Sequence, residues 1–458
     1  MIHAPDRQFE KSELLGHDAR VVLNIGIAVL IASTASRSFV AFGAPALVDF
    51  VHIPLVLCAV AMSPRLIRAS RACRRSCLWI GVLLVVSIAS WLDSGGQLVR
   101  PFAEWILLAE PLLFGVALIA ALLALPEPAR LVHARRLELT VILIAVAQLV
   151  FGLAVLLRGG FGDHVQGTFI GLGSGAHIAG AVATVGAIAA CARAFRDRQN
   201  RGRWLLLATA LMLLTIAADA KQIIIAAIPA ILLLILLGNI VVRGSARAQR
   251  RARYGALVLG VLFFASLFVI YAPLRNGGQN YSVSGSNGKF LATELIVKAM
   301  SGRPETFLVG LGPGNTVGKL ATLTGSGLKG ASPVAFLHLS QSEITAKVLA
   351  LDNSNYVIAS SSVWTGLSSA LGLFGDLGLL GVLAYVMAWW ALVRGVGRRQ
   401  STERAVVIAL ATFGAILAIL MIWLEEPNFM LPLVALLASA VASASIAPAP
   451  GRTPSLAA

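Results

Sequence analysis

Charge is scarce in this 458-residue chain: Asp, Glu, Lys and Arg make up 13% of it, against 58% hydrophobic residues. Ordinary soluble domains carry about 25% charged residues, so a water-soluble globular class is excluded. Mean hydropathy is +0.84. Acids are scarcer than bases, 21 against 37, which leaves a formal net charge of +16. In a soluble chain that balance points to nucleic acid. Here the arginines fall in short segments between apolar runs, the pattern of cytoplasmic loops, and nucleic-acid binding is set aside. Only four cysteines occur, Cys58, Cys73, Cys77 and Cys191. They lie in apolar runs or in or beside one basic segment, so neither a disulfide framework nor a metal cluster is implied. The apolar runs are continuous rather than alternating, which argues against a transmembrane β-barrel.

What the chain does have is a series of apolar runs near the roughly 20 residues that a helix needs to cross a bilayer. They fall at about 21–35, 39–62, 77–91, 103–125, 139–157, 178–195, 204–218, 223–242, 255–271, 371–393, 405–424 and 429–445. The expected fold is an all-α polytopic membrane protein with about twelve transmembrane helices and one large extracytoplasmic loop containing short helices. The N-terminus is too polar for a cleaved signal peptide, so the first run is read as an uncleaved signal. The basic segments at 64–75, 126–136, 196–203, 243–253 and 394–404 fall on one side and place it in the cytoplasm. The expected organisation is a cytoplasmic tail (1–20), nine helices (21–272), a large outer loop (273–365), three helices (366–446) and a second cytoplasmic tail (447–458).

The loop contains GKFLATELIVKAM (288–300), whose spacing predicts a helix with Phe290, Leu291, Leu295 and Ile296 facing protein or headgroups. It also contains ETFLVGLGPGN (305–315), where Gly310, Gly312 and Gly314 make a tight turn with exposed N–H groups, a shape suited to an anion. It is not a Walker motif. The span that follows opens with LGLFGDLGLLG (371–381), with glycine at every third position, read as a packing face that also carries Asp376.

Several ionisable residues stand in or beside apolar runs, where charge is costly and usually has a partner or a role. Asp49 and His52 are about one helical turn apart and share a face, and Glu110 lies in the fourth span. They are read either as hydrogen-bonding across helices or as an ion path. Lys221 and Asp219 are read either as a pair at an outer turn or as a cation facing a cavity. External cations run against the usual bias: Arg158, Arg275, Lys289, Lys298, Arg303, Lys319, Lys329 and Lys347. Their excess over Glu294, Glu305, Glu343 and Asp352 in the loop favours an anionic ligand, with anionic lipid as the competing reading. His164, His177 and His338 are candidate bases.

In their order, DHVQGTF (163–169), ADAKQIIIA (218–226), the long loop, FLVGLGPGN (307–315) and LGLFGDLGLLGVL (371–383) resemble the O-antigen ligase and polymerase superfamily of bacterial membrane glycosyltransferases. The resemblance covers roughly 158–393 in pattern. It implies transfer or polymerisation of an undecaprenyl pyrophosphate-linked glycan on the periplasmic face of the inner membrane. That would serve exopolysaccharide, capsule or O-antigen assembly, without a metal or cofactor. The implied partners are the lipid-linked oligosaccharide, a glycan or lipid acceptor, the bilayer and polysaccharide assembly proteins. The implied diphosphate ligands are Arg158, Lys221, Arg275, Lys289 and Arg303, and the candidate catalytic set is Lys221, Arg303, His338 and Glu343. Ligases carry a His eleven residues before the first glycine of the Gly-x-x-Gly that begins here at Gly378, and the residue at that place is Leu367, followed by Ser368. Its absence favours a polymerase over a ligase. The alternatives are an ion-coupled secondary transporter using Asp49, His52, Glu110 and Asp219, and a non-catalytic partner of an assembly system.

Overall fold

The computed structural model describes residues 5–169, 175–241, 288–324, 339–354, 367–396 and 402–445. The ninth expected span, the 243–253 basic segment, Arg275 and His338 lie outside the described residues. Among the described residues, nine helices are long and apolar enough to cross a membrane. The protein is all-α there, a polytopic membrane fold. In chain order the helices are α1 (Pro5–Ala41), α2 (His52–Ala61), α3 (Pro64–Ala69), α4 (Arg71–Ser94), α5 (Val99–Ala124), α6 (Glu127–Leu157), α7 (Gly175–Arg196), α8 (Arg201–Ala217) and α9 (Lys221–Val241). Then come α10 (Gly288–Ser301), α11 (Thr306–Val309), α12 (Lys319–Thr324), α13 (Glu343–Ser354), α14 (Ser369–Val393), α15 (Thr402–Leu420) and α16 (Pro427–Ala444).

The second expected span, 39–62, is not one helix. Residues 39–41 finish α1, the chain turns through Gly43 (φ +97°), and a 3-10 turn (Ala46–Phe50) leads into α2. Pro45 precedes the turn in extended backbone, which ends the preceding helix. Ten residues of helix rise about 15 Å, half of a bilayer core. Helix α1 also extends back to Pro5, through residues expected as a tail.

Helices α5, α7 and α16 are buried along most of their lengths and form the interior. Helix α7 packs on α6, α8, α9, α15 and α16, and small residues make this possible. A Cβ at Gly186 would overlap Ala145, and one at Gly180 would sit 3.0 Å from Ala220. Away from the long loop, Glu138 of α6 is buried and accepts from Arg193 Nε and Arg196 Nη1 of α7, each at 2.8 Å. Replacing Glu138 with Ala leaves two arginines unpaired. We expect a loss on the order of 3 kcal/mol, read as a lower thermal midpoint of the purified protein.

The loop helices fold onto one end of the bundle, here called the loop end. Ala292, Ile296 and Met300 recur every fourth residue along α10. They bury against Leu311, Val317 and Val348, with Leu371 and Phe374 of α14 packed beside them. This matches the expected helix and moves its buried face: Ile296 is interior, whereas Phe290 is 75% exposed.

Candidate functional site

The two glycine-rich motifs are folded against each other. Helix α11 stops at Gly310 (φ +89°), and the chain turns through Gly312 (φ +108°) and Gly314 (φ +69°). Helix α14 breaks at Gly378, with φ +64° and ψ −167°, a backbone state open essentially to glycine alone. At this break the carbonyls of Gly375 and Asp376 accept from Leu311 N (2.7 Å) and Gly312 N (3.2 Å), and Ser90 of α4 also donates to Asp376 O (2.7 Å). The glycine repeat of α14 therefore seats a turn rather than another helix. A Cβ at Gly372 would come within 2.6 Å of Gly318, and one at Gly375 within 2.7 Å of Thr316.

The N–H groups after Gly312 do hold a carboxyl group, and it is the protein's own. Thr316 N donates to Asp376 Oδ1 at 2.8 Å, and the backbone of Gly314 and Asn315 bonds the same carboxyl. Arg100, buried at the start of α5, donates from Nη1 to Asn315 Oδ1 (2.5 Å) and from Nη2 to the Ser340 carbonyl. Ser342 and Thr345 tie the carbonyls of Asn315 and Thr316 to α13 (2.6 and 2.7 Å). The turn is thus fixed from three sides.

Below it lies a buried acidic group. Lys319 donates from its backbone N to Glu425 and from Nζ to Glu426 (2.9 Å), and Asn428 Nδ2 donates to the other oxygen of Glu426 (2.8 Å). Burial pushes Glu425 up to about 8, and nearby Asp376 adds to that against the Lys319 N–H. The folded chain therefore keeps a proton there that the unfolded chain gives up. This group's contribution to stability falls as pH rises from about 4.5 to about 8. Burial also presses on Glu426, but Lys319 and Arg37 outweigh it and hold that carboxyl below its ordinary value. Glu104 of α5 is wholly buried, and neither of its carboxyl oxygens has a hydrogen-bond partner.

No match to this sequence is found among protein-family models or curated proteins. What the fold establishes is a polytopic, largely helical membrane protein. Among the described residues no group of three His, Cys, Asp or Glu is placed to hold a metal ion.

The residues singled out from the sequence are spread around the loop end. Lys221 begins α9 and pairs with Asp219 at 3.0 Å, and the next residue, Gln222, reaches Met421 Sδ beyond α15 (3.6 Å). Arg303 pairs with Asp93, 3.4 Å away at the end of α4. Lys289 of α10 donates to the Leu367 carbonyl at 3.0 Å. Arg158 is exposed at the end of α6. Glu343 is exposed at the start of α13 and pairs with Lys347 at 2.6 Å. Asp49 pairs with Arg37 (2.6 Å) and His52 with Glu110 (2.5 Å), the cross-element reading of those charges. In DHVQGTF, Thr168 N donates to the Gln148 side chain and Ser38 donates to Thr168 O, so that turn ties α6 to α1. Leu367 stands at the place of the ligase His; the next residue, Ser368, caps α14 by accepting from Leu371 N (3.3 Å), and Ser369 Oγ accepts from Leu424 N (3.1 Å).

Arg100, Glu104, Glu425 and Glu426 escaped the reading of the sequence. The signals were faint: an Arg in an outer turn, a second acid in the α5 run, and an acidic pair before the proline that starts α16.

An apolar cavity of about 430 Å³ opens between α14, α15 and α16. Leu373, Val386, Trp389, Gly414 and Leu433 line it, and Ala370, Ala418 and Leu424 stand among its walls beside the α15–α16 connection that carries Glu425. A cavity of this size is within the range of small-molecule sites.

Proposed function

We propose that the protein is a membrane glycosyltransferase of the O-antigen ligase and polymerase type. On this reading it extends or transfers a glycan carried on undecaprenyl pyrophosphate, in exopolysaccharide, capsule or O-antigen assembly. A polymerase is favoured over a ligase, because Leu367 stands where a ligase carries its His. The loop end is the periplasmic face of the inner membrane and both termini are cytoplasmic. The observation that carries the reading is the docking of the GLGPGN turn on the broken start of α14, which unites the motifs most particular to the resemblance.

The chemistry follows from charge. A diphosphate leaving group needs its negative charge met as the glycosidic bond breaks, and fixed cations supply this without a metal. Lys221, Lys289, Arg303 and Arg158 are the described candidates, with Arg275 beside them in sequence terms. Of these, Lys289 bonds the Leu367 carbonyl, just before α14. The cavity between α14, α15 and α16 would take a stretch of polyprenyl chain, with its diphosphate towards the loop end.

Gly414 offers the test, because a Cβ there meets nothing nearer than 3.9 Å. Filling the cavity with Gly414→Phe should weaken binding of an undecaprenyl pyrophosphate-linked oligosaccharide to the purified protein at least tenfold, about 1.4 kcal/mol. Unchanged binding by a folded variant would remove the cavity from the reading. Failure of the wild-type protein to bind the lipid-linked glycan at all would remove the reading itself.

A further inference from the structure

Three carboxyl groups from three separate elements interact at the loop end, Asp376 and Glu425 beside Gly318 and Glu104 near enough for the charges of both to act on it. They are Glu104 of α5, Asp376 of α14 and Glu425 of the α15–α16 connection, each with 1% or less of its surface exposed. Four of their six oxygens have no hydrogen-bond partner: both of Glu104, Asp376 Oδ2 and Glu425 Oε1. Two of these face one gap. A Cβ at position 318 would lie 3.3 Å from Asp376 Oδ2 and 3.5 Å from Glu425 Oε1. A side chain would fill that gap; glycine leaves it to the carboxyls.

Three adjacent negative charges shut away from water do not coexist without counter-charge. The surrounding cations supply only part of it: the Lys319 charge acts on Glu425, whereas the charges acting on Glu104 are those of Asp376 and Glu425. From α5, Arg100 donates to the neutral groups of Asn315 and Ser340, and its charge reaches Asp376. From the turn, Lys319 gives its ammonium to Glu426. From α1, Arg37 pairs with Asp49 of the 3-10 turn, and from α2, His52 pairs with Glu110. Among the described residues no ion pair reaches Glu104, Asp376 or Glu425, and none of the carboxyls there is placed for a metal ion. The occupant that fits is the smallest cation.

We propose that Glu104, Asp376 and Glu425 form one proton-binding site at the loop end of the bundle. A protonated carboxyl supplies the O–H donor that these free oxygens lack, so one proton removes a charge and makes a hydrogen bond at once. Asp376, which accepts backbone N–H groups, keeps its charge best. Glu104, which accepts none, and Glu425, which accepts only the Lys319 backbone N–H, are the members that share the proton. Losing it places like charges beneath the turn that ends at Lys319, so proton occupancy and the seating of the turn are linked. The site goes beyond the proposed transfer reaction and stands whether or not that reading holds.

Infrared difference spectroscopy of the full-length protein in proteoliposomes tests the site. At pH 6 the wild type should show the C=O band of a neutral carboxylic acid, shifted in deuterium oxide and lost on titration to pH 9.5. Glu104→Gln and Glu425→Gln should each remove at least half of it, and Glu110→Gln should leave it. If those variants do not fold, the wild type labelled with carbon isotope at glutamate carboxyls gives the same answer without substitution, because the band must shift with the label. No such band at pH 6, or a band indifferent to the glutamate label, would overturn the proposal. So would its discharge by sodium chloride but not choline chloride at constant pH, which would assign the site to a metal cation instead.

Discussion

Replacing Gly378 with alanine should release the GLGPGN turn from α14. The backbone at 378 (φ +64°, ψ −167°) admits essentially only glycine. A Cβ there would also overlap the Leu308 carbonyl and approach Gly310 N to 2.6 Å. If α14 straightens instead, the carbonyls of Gly375 and Asp376 lose the donors Leu311 N and Gly312 N. Strain of roughly 1–3 kcal/mol or an unmet buried polar group at a similar cost is the choice. Together with the overlap, about 3 kcal/mol or more is expected, a hundredfold shift in the docking equilibrium. Hydrogen exchange reads it directly: the amides of Leu311, Gly312 and Thr316 should exchange about a hundredfold faster in the variant, while those of α7 keep wild-type rates.

The second large effect is expected at Lys319. Its ammonium is paired with Glu426, a side chain only 7% exposed, and removing the ammonium strands that carboxylate. Lys319→Met should cost on the order of 3 kcal/mol, at the low end of buried pairs because Lys319 keeps 20% of its side-chain exposure. The double variant Lys319→Met with Glu426→Gln should recover most of the loss, since the uncompensated charge goes with it. The pH dependence has a definite sign. Glu426 is held below its ordinary value of 4.5 in the fold. The stability it contributes is present above that pH and lost as pH falls through the lower folded value. Thermal midpoints of the four proteins of the cycle, followed from pH 8 down to about pH 2, check both statements.

These residues show what a sequence does and does not disclose. The long helices were legible because each carries its own evidence, a continuous apolar run bounded by arginines. The 39–62 run misled because apolarity is blind to the break between Ala41 and Pro45. The glycines of 310–314 and 372–378 were visible as motifs, but their meaning lay in each other: the N–H groups of the turn meet a carboxylate about sixty residues away. Nothing local marks that match. The same holds for Glu104, Asp376 and Glu425, which lie hundreds of residues apart in part and share no spacing. Lys221 and Asp219, being two residues apart, were readable as a pair, and a pair is what forms.

The central claim is that a glycan leaves a lipid diphosphate at the loop end of this bundle. The most direct measurement reconstitutes the purified chain in liposomes with an undecaprenyl pyrophosphate-linked oligosaccharide and follows both products. The expected result is released undecaprenyl pyrophosphate, mole for mole with new glycosidic bonds, in the wild type and at least a hundredfold less in Gly378→Ala. Proteoliposomes that form no glycosidic bond and release no carrier, yet take up solute along a proton or sodium gradient, would contradict it.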